Sequence, residues 1–175
     1  MEVFHFGDRS LMARRREETR ELIASRYAGV NSEDRVIDTP SFQTLTRALV
    51  RDDARLNIEA GRLGTARVEL TRALKLAPDD PVVRHLFGHL YEKLAAVADE
   101  QAQQERLIQD ALASYEAAAM IDPFYGEPHR VIGILSRRAG DREKALAAFR
   151  RYLELRPDAA DAREIRDYIL ELEAD

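Results

Sequence analysis

The chain has 175 residues, which suits one domain with an extended core, and a formal net charge of −5. Hydrophobic residues make up 45% and charged residues 34%, which excludes a disordered chain, and the absence of cysteine excludes disulfides and thiol catalysis. The acidic balance argues against nucleic acid as a partner, and no apolar run approaches the roughly 20 residues that cross a bilayer. Since Met1–Ser10 lacks the pattern of a signal peptide, we expect no membrane partner and a cytoplasmic location.

The first predicted element is a charged helix near the N-terminus. Asp8 is a suitable N-cap and Gly29 a suitable stop, so the pattern predicts a helix over Arg9–Ala28. The run Arg14–Arg16 lies at its centre among few apolar residues, which is typical of a solvated, salt-bridged face. A linker over Val30–Thr39 follows, and we therefore assign residues 1–39 to an N-terminal segment.

The remainder, residues 40–175, contains a pattern that recurs three times. Each copy has a small residue, then an alanine, then a proline. The copies are marked by Ala54, Ala66 and Pro78, by Gly88, Ala111 and Pro123, and by Gly133, Ala145 and Pro157. Small residues let two helices approach closely, while each proline ends a helix because it lacks an N–H and clashes with the preceding turn. The pattern predicts helix pairs that stack on one another.

These residues resemble the tetratricopeptide repeat (TPR), a helix-turn-helix unit of 34 residues. Ala111 and Ala145 are separated by that period, as are Pro123 and Pro157. The resemblance implies an all-α solenoid with a C-terminal capping helix, because a single repeat cannot bury its own apolar face. The charged helix predicted over Arg9–Ala28 would be an extra N-terminal helix. We place the repeats at about residues 47–80, 81–125 and 126–159, and the capping helix at 160–175.

The helix boundaries of the first two repeats follow from proline and glycine. Thr39-Pro40 begins the helix that leads into the first repeat, with Thr39 as the cap and Pro40 at the favoured first helical position, and Gly61 ends this helix. Pro81 begins the second repeat. Relative to the period, this repeat carries 11 extra residues within Glu92–Asp110, which has neither glycine nor proline. That number equals about three helical turns, so we expect lengthened helices with a turn near residues 98–100.

Two finer details complete the predicted architecture. Asp99 is expected to cap the second helix of the lengthened pair. In the final helix, Ile165, Ile169 and Leu172 are expected to cover the third repeat, while the charged residues between them face water.

In TPR proteins the first helices of successive repeats line a concave groove, and the resemblance implies which residues face it. These are Arg51, Arg55, Ile58, His85, His89, Arg130, Ile134 and Arg137, with Glu59, Glu92, Glu127 and Arg138 beside them. Arginine offers bidentate donors to carboxylates, and the histidines would gain charge as the pH falls through about 6.5. Ile58 and Ile134 are expected to be apolar anchors.

This groove predicts a non-catalytic scaffold or adaptor that binds an acidic or C-terminal peptide segment of another protein, with no cofactor. The family's best-known groove, a carboxylate clamp, is matched only at Arg51, since Arg55, Leu86, Glu127 and Val131 occupy the other clamp places. A homo-oligomeric assembly module that uses the insertion, or a module like the three-repeat secretion chaperones, is an alternative.

A metal-dependent enzyme or sensor is the alternative from another class. His85 and His89 have the i, i+4 spacing of paired metal ligands on a helix. Leu86 occupies the place of the glutamate in that motif, and no third ligand is evident. The sequence also lacks a glycine-rich phosphate loop and a nucleophile elbow. We therefore expect neither a catalytic residue nor a metal site.

Overall fold

A computed structural model describes residues 39–174, and each regular element within that range is an α-helix. The helices are α1 (Thr39–Glu59), α2 (Leu63–Leu76), α3 (Pro81–Ala96), α4 (Gln101–Ile121), α5 (Gly126–Arg138), α6 (Arg142–Leu155) and α7 (Ala162–Ala174). The all-α prediction is confirmed for these residues. The predicted helix over Arg9–Ala28 and nearly all of the linker lie outside them.

The chain divides into two compact units, Met1–Leu49 and Val50–Asp175. Within the first unit the structure describes only the beginning of α1, which starts at Thr39, one residue before the predicted first helical position at Pro40. The second unit contains the rest of α1 and the six helices that follow. The boundary that we placed between residues 39 and 40 stays a prediction.

Aspartate caps fix where two of the helices begin. The Asp80 carboxylate accepts hydrogen bonds from the backbone N–H groups of Val82 (2.9 Å) and Val83 (3.3 Å), and Pro81 occupies the first helical position of α3. The Asp141 carboxylate likewise accepts from the N–H of Lys144 (3.1 Å) at the start of α6. Each cap satisfies a donor that the helix itself leaves unpaired, and so sets the register of the helix.

Glycine forms the turn inside the first and third repeats. Gly61 (φ 72°) and Gly140 (φ 77°) adopt the left-handed conformation that L-residues with side chains disfavour. The residue after each glycine donates a backbone hydrogen bond to a carbonyl in the last turn of the preceding helix. Arg62 N–H donates to Asn57 O at 2.8 Å, and Asp141 N–H donates to Ser136 O at 2.9 Å. This arrangement is a Schellman motif, and it confirms Gly61 as the end of α1.

The middle repeat has a different turn, because its insertion lengthens both helices. The break between α3 and α4 covers residues 97–100, and α4 has 21 residues. The prediction of a helical insertion with a turn near 98–100 is therefore confirmed. The prediction that Asp99 caps α4 is wrong: α4 begins at Gln101, so the N-cap is Glu100, whose side chain makes no capping hydrogen bond. Gln104 Nε2 donates instead to Ala98 O at 2.8 Å.

Each glycine at a helix crossing faces an aromatic ring from its partner helix. A Cβ atom added to Gly88 would lie 2.6 Å from Tyr115, and one added to Gly133 would lie 2.4 Å from Phe149. In the first repeat Ala54 takes the small place, and Leu70 is buried in the same cluster. The small and large positions predicted from the repeats therefore meet across each helix pair.

The core is a row of three clusters rather than one centre. The first joins α1, α2 and α3, the second joins α4, α5 and α6, and the third joins α6 and α7. Ile165 is buried in the third cluster, with Ile169 and Leu172 packed against it. The predicted cap is thus confirmed, and the stack follows the nearest-neighbour logic of repeat proteins.

Candidate functional site

The predicted groove residues belong to α1, α3 and α5, the first helices of the three repeats. Three of those considered, Ile58, Glu92 and Arg137, lie four residues after the small residue of a helix crossing. Residues four apart share one face of a helix, so their side chains are directed toward a neighbouring helix. Ile58 is 1% exposed and belongs to the core, so its predicted role as an anchor in the groove is wrong.

Glu92 shows the same geometry in the middle repeat. The Tyr115 hydroxyl donates a hydrogen bond to Glu92 Oε1 at 2.5 Å, and the same ring covers Gly88. Burial, with Glu92 as the next cause, raises the pKa of Tyr115, so the phenol remains a donor. The carboxylate of Glu92 thus completes the contact between α3 and α4.

His85 is partly buried and packs against two aromatic rings. Its ring centroid lies 5.1 Å from that of Tyr115 and 5.4 Å from that of Tyr125. Within residues 39–174 no hydrogen-bond partner meets its buried Nδ1 atom. Burial, followed by the charges of His89 and Arg130, lowers the pKa of His85 to about 4. The expectation that His85 gains charge near pH 6.5 is therefore wrong.

His89 lies one turn further along α3 and is half-buried. Burial is the largest cause lowering its pKa, while the carboxylates of Glu92 and Glu59 act in the opposite direction. His89 is consequently neutral near pH 7, and the groove at this position offers a hydrogen-bonding imidazole rather than a positive charge.

The groove arginines are paired with carboxylates. Arg51 lies 3.3 Å from Asp80, and Arg55 lies 3.4 Å from Asp52. These contacts join α1 to the cap of α3 and link neighbouring turns of α1. In each pair a carboxylate of this chain offsets the positive charge of an arginine that was predicted to bind a ligand.

Arg130 in the third repeat is paired twice. Its Nε atom lies 3.3 Å from Glu127 and 3.7 Å from Asp161. Asp161 also accepts a hydrogen bond from the Tyr152 hydroxyl at 2.7 Å. The Arg130 side chain is 33% exposed, so this network holds the guanidinium at the surface between α5 and the turn before α7.

The last two predicted groove residues face the capping helix. Arg137 donates to Glu171 at 2.7 Å, and its guanidinium lies 4.3 Å from the centroid of the Tyr168 ring. Ile134 is half-buried and packs against the third core cluster. Glu171 was predicted only to face water and Tyr168 had no predicted role, although Glu171 follows Arg137 by one 34-residue period. The 34-residue period was the signal that could have identified the pair of Arg137 and Glu171.

Other kinds of site lack support in the part of the chain that the structure describes. Among residues 39–174 no group of three or more histidine or acidic side chains is arranged to hold a metal ion, and His85 and His89 have no third ligand. No helix in this range combines the length and the apolar character needed to cross a membrane.

Solved structures share this arrangement of helices. Human IFIT1, in a structure of its dimer with PPP-AAAA, aligns with 64% of this chain at a TM-score of 0.59 and 21% identity. The first TPR domain of Spaghetti (RPAP3), bound to the HSP90 peptide SRMEEVD, aligns with 74% of this chain at 0.61 and 17% identity. TTC0263, a thermophilic TPR protein of Thermus thermophilus, aligns with 90% of it at 0.62 and 20% identity.

The matched shares of the other chains differ widely: 26% for IFIT1, 94% for the RPAP3 domain and 80% for TTC0263. The chain thus spans about a quarter of the IFIT1 chain. No family model and no curated protein matches the sequence. Over residues 39–174 the molecule is an all-α helical-repeat protein. Its fold is that of the tetratricopeptide repeat, which confirms the predicted fold class.

Proposed function

We propose that this protein is a non-catalytic scaffold that binds a peptide segment of another protein along α1, α3 and α5. The proposal rests on a row of half-exposed side chains along these helices, which include Arg51, His89 and Ile134. The helices that carry this row are the first helices of repeats in a TPR fold. The RPAP3 domain with this fold was solved with a peptide bound, which supports a protein as the partner.

The chemistry of the row favours a peptide over a small substrate. His89 offers a neutral imidazole, Ile134 a partly exposed apolar side chain, and Arg51 and Arg130 guanidinium groups that Asp80 and Glu127 already orient. A surface with several hydrogen-bonding groups and one apolar contact suits an extended peptide segment, because successive side chains of the peptide can enter separate pockets.

The same geometry argues against catalysis. His85 has no partner among the described residues for its Nδ1 atom, and its pKa near 4 makes it a poor general base at neutral pH. Glu92 is engaged by Tyr115. An enzyme or sensor that depends on His85 and His89 therefore has no support in the contacts. The homo-oligomeric and secretion-chaperone alternatives stay predictions, as does the cytoplasmic location.

The test is the affinity of a partner captured from the native host. Arg55→Glu combined with His89→Glu changes two groove positions, whereas Val68→Glu combined with Arg67→Glu changes two exposed positions on α2. We expect the groove variant to lose about tenfold or more in affinity and the α2 variant to bind like wild type. Equal affinities for both variants would refute the groove as the binding site.

A further inference from the structure

A pocket of about 460 Å³ opens at the C-terminal end of α5. It is lined by Arg137, Arg138, Gly140, Arg142, Glu171 and Leu172. Three arginines therefore meet one glutamate, in a molecule whose overall charge is −5. The carboxylate clamp of the family lies elsewhere, at earlier positions of the first helices, so this pocket is separate from it.

The turn between α5 and α6 brings the arginines together. Gly140, with φ 77°, reverses the chain directly after the last turn of α5, which carries Arg137 and Arg138. Asp141 then caps α6, and Arg142 is the first residue of that helix. Side chains from the end of one helix and the start of the next thus converge on one pocket.

Arg137 is held in place on two sides. Its Nη2 atom lies 2.7 Å from Glu171, and its guanidinium stacks over the Tyr168 ring. A guanidinium has five N–H donors, so one carboxylate and one ring leave donors for a ligand. Because Arg137 is already ordered, binding through it costs little side-chain entropy.

Arg138 and Arg142 differ from the arginines of the groove. Both are exposed, and no carboxylate of residues 39–174 forms an ion pair with either of them. Both guanidinium groups are therefore outside the ion pairs that engage Arg51, Arg55, Arg130 and Arg137. Leu172 adds an apolar surface beside these guanidinium groups.

We propose that this pocket binds a carboxylate of an acidic peptide segment, with an apolar neighbour of that carboxylate resting on Leu172. The inference rests on the proposed function and specifies where the acidic part of the segment is recognised. A carboxylate matches the planar fork of arginine. Glu171 lines the same pocket, and its negative charge disfavours a doubly charged phosphate more than a singly charged carboxylate.

The probes are fluorescein-labelled hexapeptides of alternating residues. One alternates glutamate and leucine with a free C-terminus, a second is its C-terminal amide, a third replaces glutamate by lysine, and a fourth replaces it by phosphoserine. Fluorescence anisotropy at low salt gives each affinity, and amide NMR spectra show which backbone positions respond. We expect the two glutamate peptides to bind and the lysine peptide not to bind. A loss confined to the amide would assign the C-terminal carboxylate as the group bound.

Matched variants separate the effect of the pocket arginines on affinity from the effect of the protein's net charge. Arg138→Glu/Arg142→Glu should lower the affinity of the glutamate peptide about tenfold or more, and Arg138→Gln/Arg142→Gln should have a smaller effect of the same sign. The control Arg67→Glu/Arg106→Glu makes the same change in net charge at two exposed arginines on α2 and α4, and should change the affinity less than about twofold. Circular dichroism confirms that each variant is folded.

The possible outcomes distinguish this inference from the proposed function. The inference is supported if the amides of Gly140 and Arg142 shift on binding and the pocket variant loses affinity. It is refuted if the pocket variant binds like the control, if no glutamate peptide binds at millimolar concentration, or if the phosphoserine peptide binds more than about tenfold tighter. In each refuting case the captured partner can still depend on Arg55 and His89, and the proposed function is judged by that experiment alone.

Discussion

The middle and third repeats solve the same packing problem with different chemistry. In both, a glycine on the first helix lies against an aromatic ring from the second: Gly88 against Tyr115, and Gly133 against Phe149. Tyr115 carries a hydroxyl, which engages Glu92 inside the repeat. Phe149 has none, and the residue corresponding to Glu92 is Arg137, which reaches the capping helix instead.

We expect this difference to determine which repeat has charge available for a ligand. The middle repeat uses its acidic residue to complete its own core, and its His85 is neutral between two rings. The third repeat packs Phe149 by apolar contact alone, which leaves Arg137 and Arg138 at the surface. The middle repeat thus directs its charged residue inward, and the third repeat directs its charged residues outward.

The largest expected effect is on the apolar core of the third repeat. Phe149 is fully buried against Gly133, so Phe149→Ala removes the ring and leaves a cavity. We expect the free energy of unfolding to fall by about 3–5 kcal/mol, as measured by urea denaturation. A loss below about 1 kcal/mol would show that the ring is not central to this repeat.

The middle repeat should lose stability in acid because of His85. Its pKa is lowered to about 4 in the folded protein, so the neutral form is favoured there, whereas the unfolded chain titrates near 6.5. The stabilisation is complete above pH 6.5 and is lost as the pH falls from 6.5 through 4. We expect a loss of about 2 kcal/mol at pH 5 relative to pH 7.

The control for this pH dependence is His85→Phe, which keeps an aromatic ring but removes the titrating group. Its unfolding free energy should fall less over the same range. An NMR titration that places the midpoint of His85 near 6.5 in the folded protein would contradict the enclosed position.

The close helix crossings should not tolerate a methyl group. In Gly133→Ala the new Cβ would lie 2.4 Å from the Phe149 ring, so the helices must separate, and we expect a loss of about 1–3 kcal/mol. Gly64→Ala is the matched control, because nothing lies within 4 Å of a Cβ at that helical position. The control should be neutral or stabilise the fold by up to about 1 kcal/mol. If the two substitutions change the melting temperature equally, the close contact between Gly133 and Phe149 does not limit the size of the residue at this crossing.

The hydroxyl of Tyr115 should make the smallest of these contributions. Tyr115→Phe keeps the ring against Gly88 but leaves Glu92 without this donor, and we expect a loss of about 1 kcal/mol in urea denaturation. Tyr168→Phe on α7 removes an exposed hydroxyl that contacts Glu164 and should not change stability measurably. If both variants behave alike, the contact between Tyr115 and Glu92 does not help to hold α3 against α4.

The repeat period and the positions of glycine and proline were sufficient to predict the helices of residues 39–174. The spacing of Gly133, Ala145 and Pro157 reflects backbone geometry that the repeat imposes, and the absence of glycine and proline from Glu92–Asp110 predicted a helical insertion. Such signals are local, so they do not depend on the exact partner of each side chain.

The charges of the candidate site were less predictable. The position of Arg51 on α1 follows from the repeat, but its pairing with Asp80 depends on where the α3 cap lies in space. Ile58 had a suitable place for the groove and instead faces the core, because it shares a helix face with Ala54. The groove pattern included Arg138 but not Arg142, because only the turn between α5 and α6 brings these two residues to one pocket.

The central claim, that a peptide segment lies along the first helices, is tested most directly by photo-crosslinking. A benzophenone amino acid replaces Arg55 on α1 in one variant and Val68 on α2 in another, since both side chains are exposed. The account predicts that the partner crosslinks through position 55 and not through position 68, and that excess unlabelled partner segment abolishes the crosslink. Equal crosslinking at both positions, or crosslinking at position 68 alone, would contradict it.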